Sequence, residues 1–380
     1  MNAATLGRSL PSSALRRWRA LRPRTRWGFA LLMALAAGSW ATYRSLADPW
    51  PARSVLRTPM DTWPLAFSPD GRRFLTSGDG GITPWDVATG RKGEPWPIGG
   101  GEWAFAGVYA PDGRTFAGAV AARPGPVRIV LLDAATGRAR ATIPTSSASV
   151  YDLAFADDGR EVRAFLGDVP QLKEVATFDA STGEPKSSRP LRPPTAGCSV
   201  RISPDGKLMA SAPFGGCAVQ FWDLDADRPL PAQPGLASAL AVHGLGFSPD
   251  GRTLAVGRQD GTVDLWDVPA RRPIRTMPAH QGGHVSQGIT FAPDGRTLAS
   301  RGEFLRPTST LGHLRRGIAQ GLLGLDGPEG EVIILDVATG RRVGRAGHAI
   351  HPYFSPDGRT LATREEDLTV RLRDLPQPAR

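Results

Sequence analysis

The sequence predicts an all-β protein made of repeated four-strand units, and three observations carry that expectation. FSPDGRTLA at 247–255 returns letter for letter at 354–362 and as FAPDGRTLA at 291–299. The tetrapeptide inside it, written SPDG, APDG or ADDG, places Gly71, Gly113, Gly159, Gly206, Gly251, Gly295 and Gly358 at intervals of 42, 46, 47, 45, 44 and 63 residues. Glycine (45) and proline (35) together are abundant while 41% of residues stay hydrophobic, a mixture suited to short strands joined by tight turns rather than to disorder.

Each copy of the turn has its own chemistry: proline presets φ, the aspartate carboxylate caps the turn, and glycine accepts a left-handed backbone. The cations that follow (Arg72, Arg114, Arg160, Lys207, Arg252, Arg296 and Arg359) read as solvated charges. In the fifth unit ALAVHGLGF leads into the turn and TLAVGR leads out. GTVDLWD follows a second turn at Asp260-Gly261, and RPIRTM comes after the next connector, giving four strands in one period. An aspartate ends the third strand of every unit (Asp86, Asp133, Asp179, Asp223, Asp267, Asp336 and Asp374), preceded by Trp85, Trp222 and Trp266 in three of them.

FSPDG, DGTV and the LWDV-type strand endings resemble the WD40-repeat family of β-propellers, in a divergent, bacterial-type form, over residues 54–380. The resemblance implies a seven-bladed β-propeller of four-stranded antiparallel blades; it says little about chemistry. The family's His, Ser/Thr, Asp, Trp tetrad is complete in no unit: the first has Ser77, Asp79 and Trp85 without a histidine, the fifth only Asp260 and Trp266. Apolar packing is therefore expected to do what the tetrads help to specify. LTVRLRDLPQPAR supplies only a third strand to the seventh unit, whereas ARSVLRTPM at 52–60 aligns with the fourth-strand segment RRPIRTMPA at 271–279. Val55, Leu56 and Arg57 are thus expected to complete the last blade and remove an open sheet edge.

Ahead of the repeats, seven arginines between Arg8 and Arg26 precede WGFALLMALAAGSWATY at 27–43, which holds no charge. As a helix this stretch spans about 25 Å, near the lower limit for a hydrocarbon core about 30 Å thick. Residues 1–26 read as a basic cytoplasmic tail, 27–43 as a transmembrane helix or signal anchor, and 44–53 as a linker, with the propeller on the far side of the cell membrane. The competing reading is cleavage near Ala34-Leu35-Ala36 and secretion. Residues 1–57 contain ten arginines against Asp48 alone and so hold nine of the ten net positive charges; the remainder lacks the basic face of a nucleic-acid binder. Cys198 and Cys217 open the first and third strands of the fourth unit, and both a disulfide and buried free thiols are open readings.

No GxxxxGK[ST] loop, GxSxG elbow, HExxH or kinase motif occurs, and GGGEW at 99–103 lacks the lysine and helix of a nucleotide loop. The expectation is a non-enzyme with no cofactor. Five histidines, His243, His280, His284, His348 and His351, lie in segments entering the first strands of units five to seven. Gathered on one face they would bind zinc or copper, which is the alternative: a small-ligand or metal-binding propeller, or an enzyme using them as bases. Ala279-His280 and Gly347-His348 resemble the family's GH dipeptide, whose histidine makes a structural hydrogen bond, so no metal is assigned.

The interval of 63 reveals an insertion at 304–328 in place of the second turn of unit six. Leu311, Leu314, Ile318 and Leu322 recur there at helical spacing, with Arg315 and Arg316 on the polar side. Trp63, Phe105, Tyr151, Cys198, His243, Gln287 and Ile350 each stand four positions before the residue that opens a turn, where they either ring the mouth of the central channel or fill the core between blades. The partner-binding candidates are Trp63, Phe105, Tyr151, His243, Gln287, Leu311, Leu314, Arg315, Arg316 and Ile318. The predicted function is a monomeric, membrane-tethered, exported scaffold that binds a protein or peptide on the rim or channel mouth.

Overall fold

A computed structural model describes residue 50 and residues 52–375, apart from 59–61, 79, 123–126, 146, 169–170, 191–197, 214–217, 232–239, 281–282, 305–329, 348 and 366–367. The expected tail and membrane segment, Cys217, His348 and the insertion residues Leu311, Leu314, Arg315, Arg316 and Ile318 lie outside the described residues, as do the side chains of Cys198, His284 and Gln287. Among the described residues no helix is long and apolar enough to cross a membrane.

The repeated turn folds as its residues dictate. Ser68 Oγ donates to Asp70 Oδ1 (2.5 Å) and accepts from the Arg73 amide (2.9 Å), the Arg72 amide donates to the same carboxylate oxygen (3.0 Å), and Gly71 N–H closes on Ser68 O (2.8 Å). All seven turn glycines sit at φ between 65° and 88°, where a side chain would be strained. The seven cations after them are exposed. Asp–Asp–Gly in the third unit, lacking proline, forms a single 3-10 turn with Asp158 itself at φ 49°.

The strands follow the repeat. β1 (Ser54–Leu56) stands alone, and the first unit supplies β2 (Trp63–Phe67), β3 (Arg73–Gly78) and β4 (Gly81–Asp86). The second supplies β5 (Glu102–Tyr109), β6 (Thr115–Ala122), β7 (Arg128–Asp133) and β8 (Ala139–Pro144), the third β9 (Ser149–Ala156), β10 (Glu161–Asp168), β11 (Gln171–Asp179) and β12 (Pro185–Pro190). The fourth has β13 (Cys198–Ile202), β14 (Leu208–Pro213), β15 (Gln220–Asp223) and β16 (Arg228–Pro229), the fifth β17 (Val242–Phe247), β18 (Thr253–Arg258), β19 (Thr262–Asp267) and β20 (Arg272–Pro278). The sixth has β21 (Gly283–Phe291), β22 (Thr297–Phe304), β23 (Gly330–Asp336) and β24 (Arg342–Gly347), the seventh β25 (Ala349–Phe354), β26 (Thr360–Glu365) and β27 (Val370–Asp374).

Each unit is its own antiparallel sheet. Six sheets have four strands; the first has three, its outer edge reduced to the bridges Ile82↔Trp96 and Trp85↔Lys92. Pro95 and Pro97 flank Trp96 and cannot donate to a ladder, which explains the departure from four strands there. Seven separate apolar clusters fill the seven interfaces between consecutive sheets. The one joining the last unit to the first packs Ala362, Val370 and Leu372 against Phe67, Phe74 and Trp85. The ring is therefore closed, and the fold is an all-β seven-bladed propeller.

Closure uses the leading strand, as expected. β1 pairs antiparallel with β27 in the register Ser54↔Leu372, Val55↔Arg371 and Leu56↔Val370, although the strand stops one residue short of Arg57. Leu56 is fully buried in the cluster between the last and first blades. Six of the seven strand-ending aspartates cap their own next turn, as Asp86 does by accepting from the Thr89 amide (2.7 Å) and hydroxyl (2.6 Å). At the seventh, Arg53 donates to the Asp374 carboxylate (2.7 Å).

Candidate site at the channel mouth

In every blade the innermost strand starts at one face of the ring, here called the mouth face, and ends at the PDG turn on the other, the turn face. Six of the seven inner strands carry a β-bulge; β13 alone pairs without interruption. A bulge re-aims the side chains around it and is common beside functional sites. In β5, β9 and β17 the extra residue is Phe105, Tyr151 or His243, and in β21 Gln287 falls inside the bulge.

Those candidates do not share one fate. Phe105 and Tyr151 are half-buried and pack against the clusters between blades two and three and between blades three and four. His243 is half-buried on β17. Trp63, the first residue of β2, is 39% exposed, the one aromatic among the large apolar side chains left open to solvent in the described residues.

Around Trp63 the structure assembles a polar group from blades six and seven. The Arg364 guanidinium lies 4.4 Å from the Trp63 ring centre, within cation–π range. The His351 ring meets Trp63 edge to face at 5.6 Å. His351 sits in the β25 bulge at φ 51°, a left-handed backbone uncommon outside glycine. Arg301 donates to Glu303 Oε1 (2.5 Å) at the end of β22, where the insertion begins. Burial, reinforced by Arg301 and Arg364 and opposed by Glu303, pushes His351 down to about 4, so its ring is neutral at pH 7. Deeper in, burial raises Asp152 while Arg201 opposes, and burial pushes Tyr353 up to about 12, again opposed by Arg201. The Tyr353 hydroxyl donates to Pro64 O (3.1 Å).

Arg301, Glu303 and Arg364 were not singled out by sequence reasoning. Their signal was present: TLASRGEF and TLATREED carry charges where the second strand of the first unit, FLTSG, stays small and neutral.

The described histidine side chains belong to no metal-binding group. His280 is buried and shares hydrogen bonds through Nδ1 with Glu331 (2.9 Å) and through Nε2 with Ser300 (3.0 Å). Gly302 makes this possible, since a Cβ there would lie 2.2 Å from His280 Nδ1. Burial alone would raise Glu331, but hydrogen bonds from His280 and Arg345 hold it below the ordinary carboxylate range. Thus blade six has a partial polar tetrad with glutamate as its acid, which the sequence did not reveal. Elsewhere the tetrad is thinner: Trp85 Nε1 donates to Thr76 Oγ1 (2.8 Å), not to Ser77, and the buried Trp266 Nε1 finds no acceptor among the described residues. Among the described residues no three His, Cys, Asp or Glu side chains stand close enough to share a metal ion.

A cavity of about 380 Å³ lies away from this group, on the turn face between blades four and five, lined by Phe221, Leu230 and Val268 with Asp205 and Asp250 at its rim. Both aspartates are committed to their own turns, and Arg252 and Arg271 also line the cavity.

Among the described residues the arrangement at the mouth offers a planar aromatic, two guanidiniums, a carboxylate and a neutral imidazole, groups suited to recognising a surface. The family model described as the anaphase-promoting complex subunit 4 WD40 domain matches residues 220–293. No curated protein matches the chain. With the seven-sheet ring closed by its leading strand, that match supports the WD40 β-propeller family for this chain.

Proposed function

We propose that this protein is a non-enzymatic interaction scaffold, membrane-tethered and exported, that binds a protein or peptide at the mouth of its propeller. WD40 propellers are commonly protein-interaction scaffolds, typically without catalytic activity, and this fold is consistent with that use. The observation that carries the reading is Trp63, exposed on a rigid inner strand, with Arg364 stacked on it and His351 at its edge. Tryptophan and arginine are enriched among interface hot spots. The insertion leaves blade six directly after this group and adds Leu311, Leu314, Arg315, Arg316 and Ile318 as variable contacts. A tether at 27–43 would raise the local concentration of membrane-bound partners.

Crosslinking with mass spectrometry in native membranes tests the reading, comparing the intact protein with Trp63→Ala and with a chain lacking residues 305–328. Loss of the same crosslinked proteins in both variants is expected. Partners retained in full by both would remove the mouth as the binding surface.

A further inference from the structure

We propose that the cavity of about 380 Å³ between blades four and five binds a small organic acid, an apolar body carrying a carboxylate. The cavity exists because a contact found elsewhere in the ring is missing there. At three other interfaces an arginine of the preceding blade crosses the gap and donates to the carbonyl just past the strand-ending aspartate: Arg53 to Val87 O (3.1 Å), Arg73 to Ala134 O (3.0 Å) and Arg189 to Leu224 O. The matching carbonyl in blade five belongs to Val268, whose N–H donates to Arg252 O just as the Ala134 N–H donates to Arg114 O. Leu208 stands opposite Asp223 where Arg73 stands opposite Asp86, and among the described residues no side chain donates to Val268 O. Leu208, Phe221, Leu230 and Val268 therefore face an open apolar volume.

The turn after β19 carries a second departure. Arg271 lies four residues past Asp267 at φ 55°, where Gly90, Gly137, Gly183 and Gly340 take φ between 67° and 75° in blades one, two, three and six. The preceding blade presses on those glycines: an added Cβ would lie 2.0 Å from Trp96 at Gly137 and 3.2 Å from Met277 at Gly340. At 271 the corresponding space is the cavity, and an arginine is held in a backbone region that aspartate, as at Asp227 in blade four (φ 51°), tolerates better. Strain of this kind collects at ligand-binding positions.

The unmet hydrogen-bonding capacity is cationic. Asp205 Oδ1 accepts from Ser203 Oγ (2.5 Å) and the Lys207 amide (3.1 Å), and Asp250 Oδ1 from Ser248 Oγ (2.6 Å) and the Arg252 amide (3.0 Å). The Arg252 and Arg271 guanidiniums line the same cavity and make no ion pair or hydrogen bond among the described residues. A carboxylate between them supplies the charge-assisted bonds both lack, while its apolar body displaces water from Phe221 and Leu230. The volume is near the lower end for small-ligand sites, which limits the body to a compact aromatic or branched aliphatic group.

Isothermal titration of the full-length protein with 3-phenylpropionate and 4-methylpentanoate tests the site, with 3-phenylpropanamide and 2-phenylethylamine as neutral and cationic counterparts. Saturable binding of an acid at about 1 mM or tighter is expected, with the amide at least about tenfold weaker. Arg271→Gly removes one guanidinium and installs the residue that four other blades use, so the melting temperature should hold or rise while acid binding weakens at least about tenfold. Leu208→Arg restores the crossing arginine and should abolish binding. Failure of both acids to saturate by about 10 mM, unchanged affinity in Arg271→Gly, or tighter binding of the amine than of the acids each overturns the proposal. The cavity lies on the turn face, so none of these outcomes bears on the mouth and Trp63.

Discussion

Replacing Leu56 by alanine isolates what closes the ring. Leu56 is the one fully buried side chain of β1; Ser54 is half-buried and Val55 is 47% exposed. Core Leu→Ala changes cost about 3–4 kcal/mol through lost transfer energy plus the residual cavity. The loss falls on a strand of three residues held by three ladder pairs, so it acts first on local detachment of β1 from β27. A loss of about 3 kcal/mol in local opening raises amide exchange roughly a hundredfold. Hydrogen–deuterium exchange with mass spectrometry should show that acceleration in peptides covering 52–58 and 368–375, with the sheets of blades three and four little changed. Val55→Ala, truncating an exposed side chain on the same strand, should leave both peptides within about threefold of wild type, since surface changes stay near ±0.5 kcal/mol. Acceleration spread evenly over all seven blades would show that the ring opens only by global unfolding. No acceleration at 368–375 would show that Leu56 does not hold the seam.

Three further outcomes follow from the polar groups. His280→Ala strips Glu331 and Ser300 of a buried partner and should cost about 3 kcal/mol in urea unfolding; a cost below about 0.5 kcal/mol, the level of an ordinary surface change, would show that the network is not structural. Val256 occupies in blade five the place that Thr76 holds beneath Trp85, so a double-mutant cycle of Val256→Thr with Trp266→Phe should show a favourable coupling of about 1 kcal/mol between the new hydroxyl and the indole N–H; zero coupling would mean the two groups do not meet. His351 titrates at about 4 when folded against 6.5 as a free side chain, so the unfolded chain takes up the proton first and stability present above pH 6.5 falls as pH drops toward 4. The full shift corresponds to about 3 kcal/mol, and partial exposure reduces this to about 1–2 kcal/mol. Wild type should lose that amount relative to His351→Asn between pH 7 and 4.5 in urea unfolding, asparagine being chosen because it tolerates the left-handed φ; parallel profiles would refute the shift.

The turn chemistry was legible because it is local. Ser68, Asp70 and Gly71 satisfy one another within four residues, and the same letters recur wherever the same bonds form. The closing strand was legible because residues 52–60 copy a fourth-strand pattern that the seventh unit lacks. The outer edge of the first blade was not, because two prolines cancel a ladder that the spacing alone suggests. The mouth was only half legible. A common offset of four residues selects Trp63, Phe105 and Tyr151 together, but the bulge in β2 falls on Leu65, beyond Trp63, whereas in β5 and β9 it falls on Phe105 and Tyr151 themselves. The bulge position decides which ring turns toward the interblade core, and nothing in a single repeat marks it. Glu331 lies 51 positions from His280 and meets it only when blade six folds, and Arg364 lies 301 from Trp63 and meets it only when the ring closes.

Near-identical blades pose a problem of their own: any of seven sheets resembles the one that β1 must complete. Asp374 distinguishes the right one chemically, since its six counterparts accept from their own turns whereas it accepts from Arg53. Yet the Arg53–Asp374 pair, with side chains 38% and 60% exposed, contributes at most about 1 kcal/mol and is screened by salt. Selection must therefore rest mainly on shape and on absent competitors. In the other blades a covalently attached fourth strand, or in the first blade the bridged segment at Trp96, already covers the third strand, so only β27 offers an open ladder. Leu56 then fills the gap between blades seven and one, and Arg373, buried with Glu365 and Thr363, holds the Trp50 carbonyl in place. The charged pair guides the register, and the apolar seam supplies the free energy.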